Sequence, residues 1–275
     1  MHRAPGEPLG PGRLVLTVQD GPGPPPLRFE TDGHGRILLR QGGRPLLTGR
    51  HEGGGCCRDL VLHRGDGYRS PLPPLTAAQQ RSPVDWAHRY ARWLEDAPDT
   101  PLHDGRWQLA RRGDLEPGVW GEDFVRDWPG ARLELLCGGG WHGVLPLRPL
   151  SPPDAARVKA YRKHAREGTL APVLLWWVSF LDGWVILDGH DRAVAALAEG
   201  RQPPVVELTA LPDEAAWRRA ADELTQVHER DRERRAALPE RQRAAMERNH
   251  GFLLADLPYE AGRTPLWPAD VSMPR

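Results

Sequence analysis

Trp184-Val185-Ile186-Leu187-Asp188-Gly189-His190-Asp191-Arg192-Ala193-Val194-Ala195-Ala196-Leu197-Ala198 reads as a strand, a tight turn and a helix. The apolar run suits a buried strand, and the alanine-rich run suits a helix. Gly189 lies between them, where the backbone must turn sharply. This order sets Gly189, His190 and Arg192 at a helix N-terminus, where unbonded N–H groups and the helix dipole favour an anion. Phosphate is the expected anion.

The neighbouring sequence extends the pattern on both sides. Ser151-Pro152-Pro153-Asp154 reads as a helix start, Ala156 to Glu167 as the helix and Gly168 as its end. Pro172 to Val178 reads as a buried strand, turned back at Asp182-Gly183. Beyond the alanine helix, which ends at Gly200, Gln202-Pro203-Pro204 leads into a strand from Val205 to Leu208. Residues 148–211 thus form a compact α/β module.

Residues 13–147 read as a β-rich α+β domain of unknown role. Strands are expected at Arg13 to Gln19, Leu27 to Glu30, Arg36 to Arg40, Asp59 to His63, Trp107 to Arg111, Ala131 to Cys137 and Gly140 to Leu147. Thr31-Asp32-Gly33-His34-Gly35 supplies Asp-Gly hairpin chemistry. Ser82 and Pro83 read as the cap and first turn of a helix whose Trp86, Tyr90 and Trp93 share a core-facing side. Pro212-Asp213-Glu214 opens a long helix to about Ala236, and a second helix follows Pro239 to about Arg248. C-terminal helices are therefore assigned to 212–257, with tails at 1–12 and 258–275. The expected class is α+β: a β-rich unit, an α/β module and C-terminal helices.

The 275 residues are 39% hydrophobic and 27% charged, enough apolar content for a packed core. Acidic and basic residues balance at 37 each, which weighs against a protein that coats nucleic acid. Lys159 and Lys163 are the only lysines, so the abundance of arginine is global and marks no single site. Cys56, Cys57 and Cys137 form no C-x-x-C pair, and the odd count fits a reducing compartment. His34, His51, His63, His103 and His142 make no metal spacing with them. Met1 to Gly12 lacks the apolar core of a signal peptide. The longest apolar run, Ala171 to Leu181, is too short to span a membrane. A soluble cytoplasmic protein is expected, with no membrane partner.

Leu150 to Leu208, about a fifth of the chain, resembles the ParB/sulfiredoxin superfamily. The resemblance rests on Arg157-Val158-Lys159 in the first helix and on Glu167-Gly168-Thr169-Leu170-Ala171-Pro172-Val173 before the strand. Leu174-Leu175-Trp176 in that strand, the Asp188 to Arg192 turn, Ala195-Ala196 and Gly200 complete it. It implies a nucleoside di- or triphosphate (ATP, ADP or CTP) with Mg²⁺ at the turn. Sulfiredoxin places a cysteine after the turn glycine, where this chain has His190. ParB clamps carry a Glu-Arg-Arg turn and a helix-turn-helix domain, and neither is evident here. The histidine version is most similar to kinase-like members, although those carry a second histidine where this chain has Asp191.

The resemblance implies nucleotide contacts from Gly189, His190, Asp191, Arg192, Arg157 and Thr169. It implies catalytic roles for Asp188, His190 and Glu167, and metal contacts for Asp188 and Asp191. Local readings stand beside these. Asp188 equally suits a helix cap, His190 a core-edge residue, and Arg192 a surface arginine or an ion pair with Asp191 or Asp188. Glu167 and Thr169 equally suit a simple loop. The expected function is a nucleotide-dependent phosphotransferase acting on a small molecule or a peptide side chain. The alternatives are a non-catalytic or slowly hydrolysing nucleotide switch, or a ParB-like DNA-binding protein or nuclease.

Overall fold

Short alternating and apolar segments dominate the first half of the chain, and they pair into strands. The computed structural model describes residues 12–21, 23–52, 59–82, 84–113, 115, 118–121, 132–135, 143–261 and 263–269. Its strands are β1 (Arg13–Val18), β2 (Leu27–Thr31), β3 (Arg36–Gln41), β4 (Arg44–Glu52), β5 (Asp59–Arg64), β6 (Gly105–Arg112), β7 (Arg132–Leu135), β8 (Val144–Pro146), β9 (Val173–Val178), β10 (Gly183–Asp188), β11 (Val205–Leu211) and β12 (Leu266–Pro268). The helices are α1 (Ala77–Gln80), α2 (Trp86–Asp96), α3 (Ala156–Glu167), α4 (His190–Ala198), α5 (Glu214–Arg234) and α6 (Glu240–Ala261). The class is α+β, with two mixed sheets. Described residues up to Thr209, with those from Thr264, form one unit; Ala210–Arg263 forms the other.

The first unit holds both sheets. One runs β1-β6-β11-β9-β10-β8 and the other β12-β2-β3-β4-β5-β7. In the first, β9 and β10 form an antiparallel hairpin, while β11 lies parallel to β9 and β8 parallel to β10. The hairpin turns at Asp182, whose φ of 46° is left-handed. Its core gathers Val144, Val173, Leu175, Ile186, Ala193 and Val205. Helix α3 ends on Gly168 at φ 69°, whose N–H reaches the Ala165 carbonyl. Its buried Val158, Tyr161 and Ala165 pack against Val194, Ala195 and Ala196 of α4. Phe29 of the second sheet meets Trp176 of the first, with ring centroids 5.4 Å apart.

Several expectations change in three dimensions. A boundary at 147/148 runs through a sheet, since β6 neighbours β11 and β8 pairs with β10 of the module. β4 (Arg44–Glu52) is not among the strands expected from the sequence. A register shift at Leu39/Arg40 accommodates that strand. At Gly49 a Cβ would lie 2.8 Å from Leu62 Cδ2, so the glycine makes room for a core leucine. Ser82 does not cap α2; Asp85 does, accepting from the Ala87 and His88 N–H groups. Tyr90 is core, whereas Trp86 and Trp93 are half-buried beside it. α6 continues past Gly251 to Ala261, and the expected tail supplies β12, parallel to β2. Pro83, Cys56, Cys57, Cys137, His142, residues 1–11 and 270–275, and the rest of the two strands expected within 131–147 lie outside the described residues.

The second unit pairs α5 with α6. Asp213 caps α5 by accepting from the Ala216 N–H, and none of the described residues of α5 is buried. The His228 and His250 rings stack at 4.1 Å, and His228 Nε2 lies 3.1 Å from Glu247.

Glu30 is fully buried in β2, between Arg28 at 2.6 Å and Arg40 at 3.1 Å. Removing one member of a buried ion pair strands the remaining charge. Glu30→Ala should cost about 3–5 kcal/mol, read as a lower urea midpoint. An unchanged midpoint would show that the carboxylate is dispensable.

Candidate functional site

Strand β10 ends at Asp188, Gly189 turns at φ 99°, and α4 begins at His190. None of the described side chains caps this helix. Its first backbone bond runs from the Ala193 N–H to the Gly189 carbonyl, so the N–H groups of the first turn are left for another acceptor.

Arg192 is buried and folds back under that turn. Its Nη2 lies 2.6 Å from Asp188 Oδ2 and donates to the Pro172 carbonyl at 2.9 Å and the Tyr90 hydroxyl at 3.2 Å. Tyr90 donates to the same Pro172 carbonyl. A Cβ at position 189 would lie 2.7 Å from Arg192 Nη2. The glycine therefore answers to the arginine as well as to its own φ. Burial pulls the Arg192 pKa down, but Tyr90 and Asp188 outweigh that and hold it above its ordinary value. Arg192 Nε has no hydrogen-bond partner among the described residues.

His190 is also interior. Its Nε2 accepts the Leu147 N–H at 3.1 Å, which places the ring proton on Nδ1. Burial, then the charges of Arg148, Arg64 and Arg192, hold its pKa well below the ordinary value. The ring is neutral at pH 7, and Nε2 has no proton to give.

Asp191 organises the rim. Its Oδ1 accepts from Arg148 Nη2 and Ser151 Oγ, both at 2.9 Å, and Arg157 Nε lies 3.5 Å from Oδ2. Ser151 thus serves Asp191 and does not cap α3, which has no side-chain cap. Arg157, with its side chain 63% exposed, also reaches the Tyr161 hydroxyl. A loop after β5 closes the far side. Tyr68 donates to the Leu187 carbonyl at 2.6 Å, and exposed Ser70 donates to Asp188 Oδ1 at 2.7 Å.

These elements enclose a cleft of about 470 Å³. Three arginines (148, 157 and 192) face two aspartates (188 and 191), leaving one net positive charge with His190 neutral. Although His190, Asp191 and Arg192 are buried, there is room for a charged ligand against the turn.

Of the residues singled out by sequence, Asp188, Gly189, His190, Asp191, Arg192 and Arg157 come together here. Glu167 and Thr169 do not, because they lie at the opposite end of α3, about 15 Å along the axis from Arg157. Exposed Glu167 faces Lys163 at 3.9 Å, and Thr169 Oγ1 lies 2.9 Å from His164 Nδ1. Tyr68, Ser70, Arg148 and Tyr161 were missed. Tyr68 and Ser70 stand more than a hundred residues before the turn, and no local motif marks them.

The carboxylates do not fit a protein-held Mg²⁺. Asp188 offers its oxygens to Ser70 and Arg192, and Asp191 lies between Arg148 and Arg157. Among the described residues, no group of three or more His, Cys, Asp or Glu side chains is placed to hold a metal. No described helix is long and apolar enough to cross a membrane. No family model, curated protein or solved structure matches this chain.

Gly189→Ala should cost about 1–3 kcal/mol through backbone strain and displace Arg192; denaturant unfolding with no loss would refute the close approach. His190 makes a second prediction. Its folded pKa is depressed, so its contribution is complete above the unfolded value of about 6.5 and falls as pH drops below it. His190→Gln should flatten the decline in stability between about pH 6.5 and 5. Identical slopes in the two proteins would contradict a buried neutral ring.

Proposed function

We propose that the chain is a nucleotide-dependent phosphotransferase whose phosphate site is the cleft at the head of α4. The observation that carries this reading is the uncapped start of α4, which opens at Gly189 onto a cleft bearing the half-exposed guanidiniums of Arg148 and Arg157. Backbone N–H groups at a helix start and arginine forks are the donors that phosphate oxygens take. The cleft volume lies in the range of small-molecule sites.

Arg148 and Arg157 hold phosphate oxygens, and Asp191 sets the angle of both guanidiniums. Asp188 is the base toward an acceptor hydroxyl, kept in place by Arg192 on its far oxygen. Because Asp188 and Asp191 face arginines, any Mg²⁺ arrives on the phosphates and is not held beforehand by the protein. A second reading, a nucleotide-binding switch, is favoured by one observation. Two residues of the turn, His190 and Arg192, are committed to the interior.

The test uses thermal unfolding with ATP, ADP and CTP, each with and without Mg²⁺. At a hundredfold excess over Kd, a ligand bound only by the native state adds about 2.7 kcal/mol. Arg157→Ala and Arg148→Ala should each shrink the shift. If none of the nucleotides raises Tm, the proposal fails. If binding occurs but no supplied hydroxyl acceptor is ever phosphorylated, the switch reading replaces the enzyme.

A further inference from the structure

We infer that Ser70 is itself a phosphoryl acceptor, so that the protein phosphorylates its own Ser70. This rests on the nucleotide reading above and adds the identity of an acceptor.

Ser70 is exposed at the cleft yet tightly held. Its hydroxyl donates to Asp188 Oδ1 at 2.7 Å, within the range a general base requires. Its oxygen also accepts the Leu72 N–H at 3.1 Å, which pins the side chain. A serine oxygen has two acceptor sites, so one lone pair remains for attack. The chain just before Ser70 is anchored. Gln41 Nε2 donates to the Arg69 carbonyl at 2.7 Å, and the Arg69 N–H donates to Gln41 Oε1 at 3.1 Å. Tyr68 is bonded to the Leu187 carbonyl. Ser70 is thus preorganised against the carboxylate beside the Gly189 turn, as an acceptor in phosphoryl transfer must be.

The co-reactant is a nucleoside triphosphate. Ser70 Oγ forms a bond to the terminal phosphorus as the bond from that phosphorus to the bridging oxygen breaks. The Ser70 proton passes to Asp188 Oδ1, and the nucleoside diphosphate leaves with the electron pair. Asp188 then returns the proton to solvent. The product dianion lies in the cleft lined by Arg148 and Arg157, cations of the kind that hold phosphoserine.

The experiment incubates the full chain with ATP or CTP labelled on the terminal phosphate, with Mg²⁺, and locates incorporated label by tandem mass spectrometry. One phosphoryl group on Ser70 is expected, at a first-order rate independent of protein concentration. Ser70→Ala should take up none, and Ser70→Thr, which keeps the hydroxyl, should be labelled. Nucleotide binding is read in parallel from the thermal shift of the wild type. Stabilisation with no label on Ser70, or with label only elsewhere, overturns the Ser70 assignment and leaves the nucleotide reading standing. Neither stabilisation nor label removes both. A rate that rises with protein concentration overturns transfer within one chain.

Discussion

The buried guanidinium of Arg192 is the interaction on which the rest of the site depends. A charge taken out of water must be matched by a countercharge and filled hydrogen bonds. Arg192 finds the countercharge in Asp188 one helical turn back, and its Nη2 also meets the Pro172 carbonyl and the Tyr90 hydroxyl, while Nε is without a partner among the described residues. One side chain thereby ties the end of β10, the approach to β9 and the middle of α2. It also excludes any side chain at position 189, and it removes Asp188 from capping duty by drawing one carboxylate oxygen inward.

The Asp188 to Arg192 turn therefore divides its labour. Its inward members, His190 and Arg192, hold the fold, one by accepting a backbone N–H and the other by its ion pair. The cleft beside it is lined largely by residues from elsewhere, among them Arg148 before α3, Arg157 in the first turn of α3, and Ser70 from the loop after β5. Asp191 joins the two groups. Buried itself, it pairs with Arg148 and Arg157 at the rim, where both line the cleft.

The same contrast separates the two sheets. Local hairpins build most of the second sheet, from β2 through β5, and an Asp32 carboxylate accepting the His34 and Arg36 N–H groups shapes the first turn. The first sheet is assembled from distant pieces. β6 and β11 are neighbours although about a hundred residues separate them, and Arg112 of β6 pairs with Glu207 of β11 at 2.7 Å. Pairings of this kind leave no periodic trace in either strand, so the module and the β-rich half read as separate along the chain.

Periodicity, turn chemistry and capping are local, and they sufficed to locate β9, the turn at Asp182, β10, the helix after Gly189, the Gly168 stop and the start of α5. The special backbone at Gly189 was legible for the same reason, because a glycine between a strand and a helix has few other uses. Which way each side chain of the turn points was not legible. His190 and Arg192 turn inward because Leu147, Pro172 and Tyr90 stand there to receive them, and those partners are brought by separate elements. Ser70 and Arg148 enter the site, and Glu167 and Thr169 leave it, for a geometric reason. Sequence spacing measures distance along a helix or strand, whereas a cleft is closed by whatever the packing of two sheets brings across it.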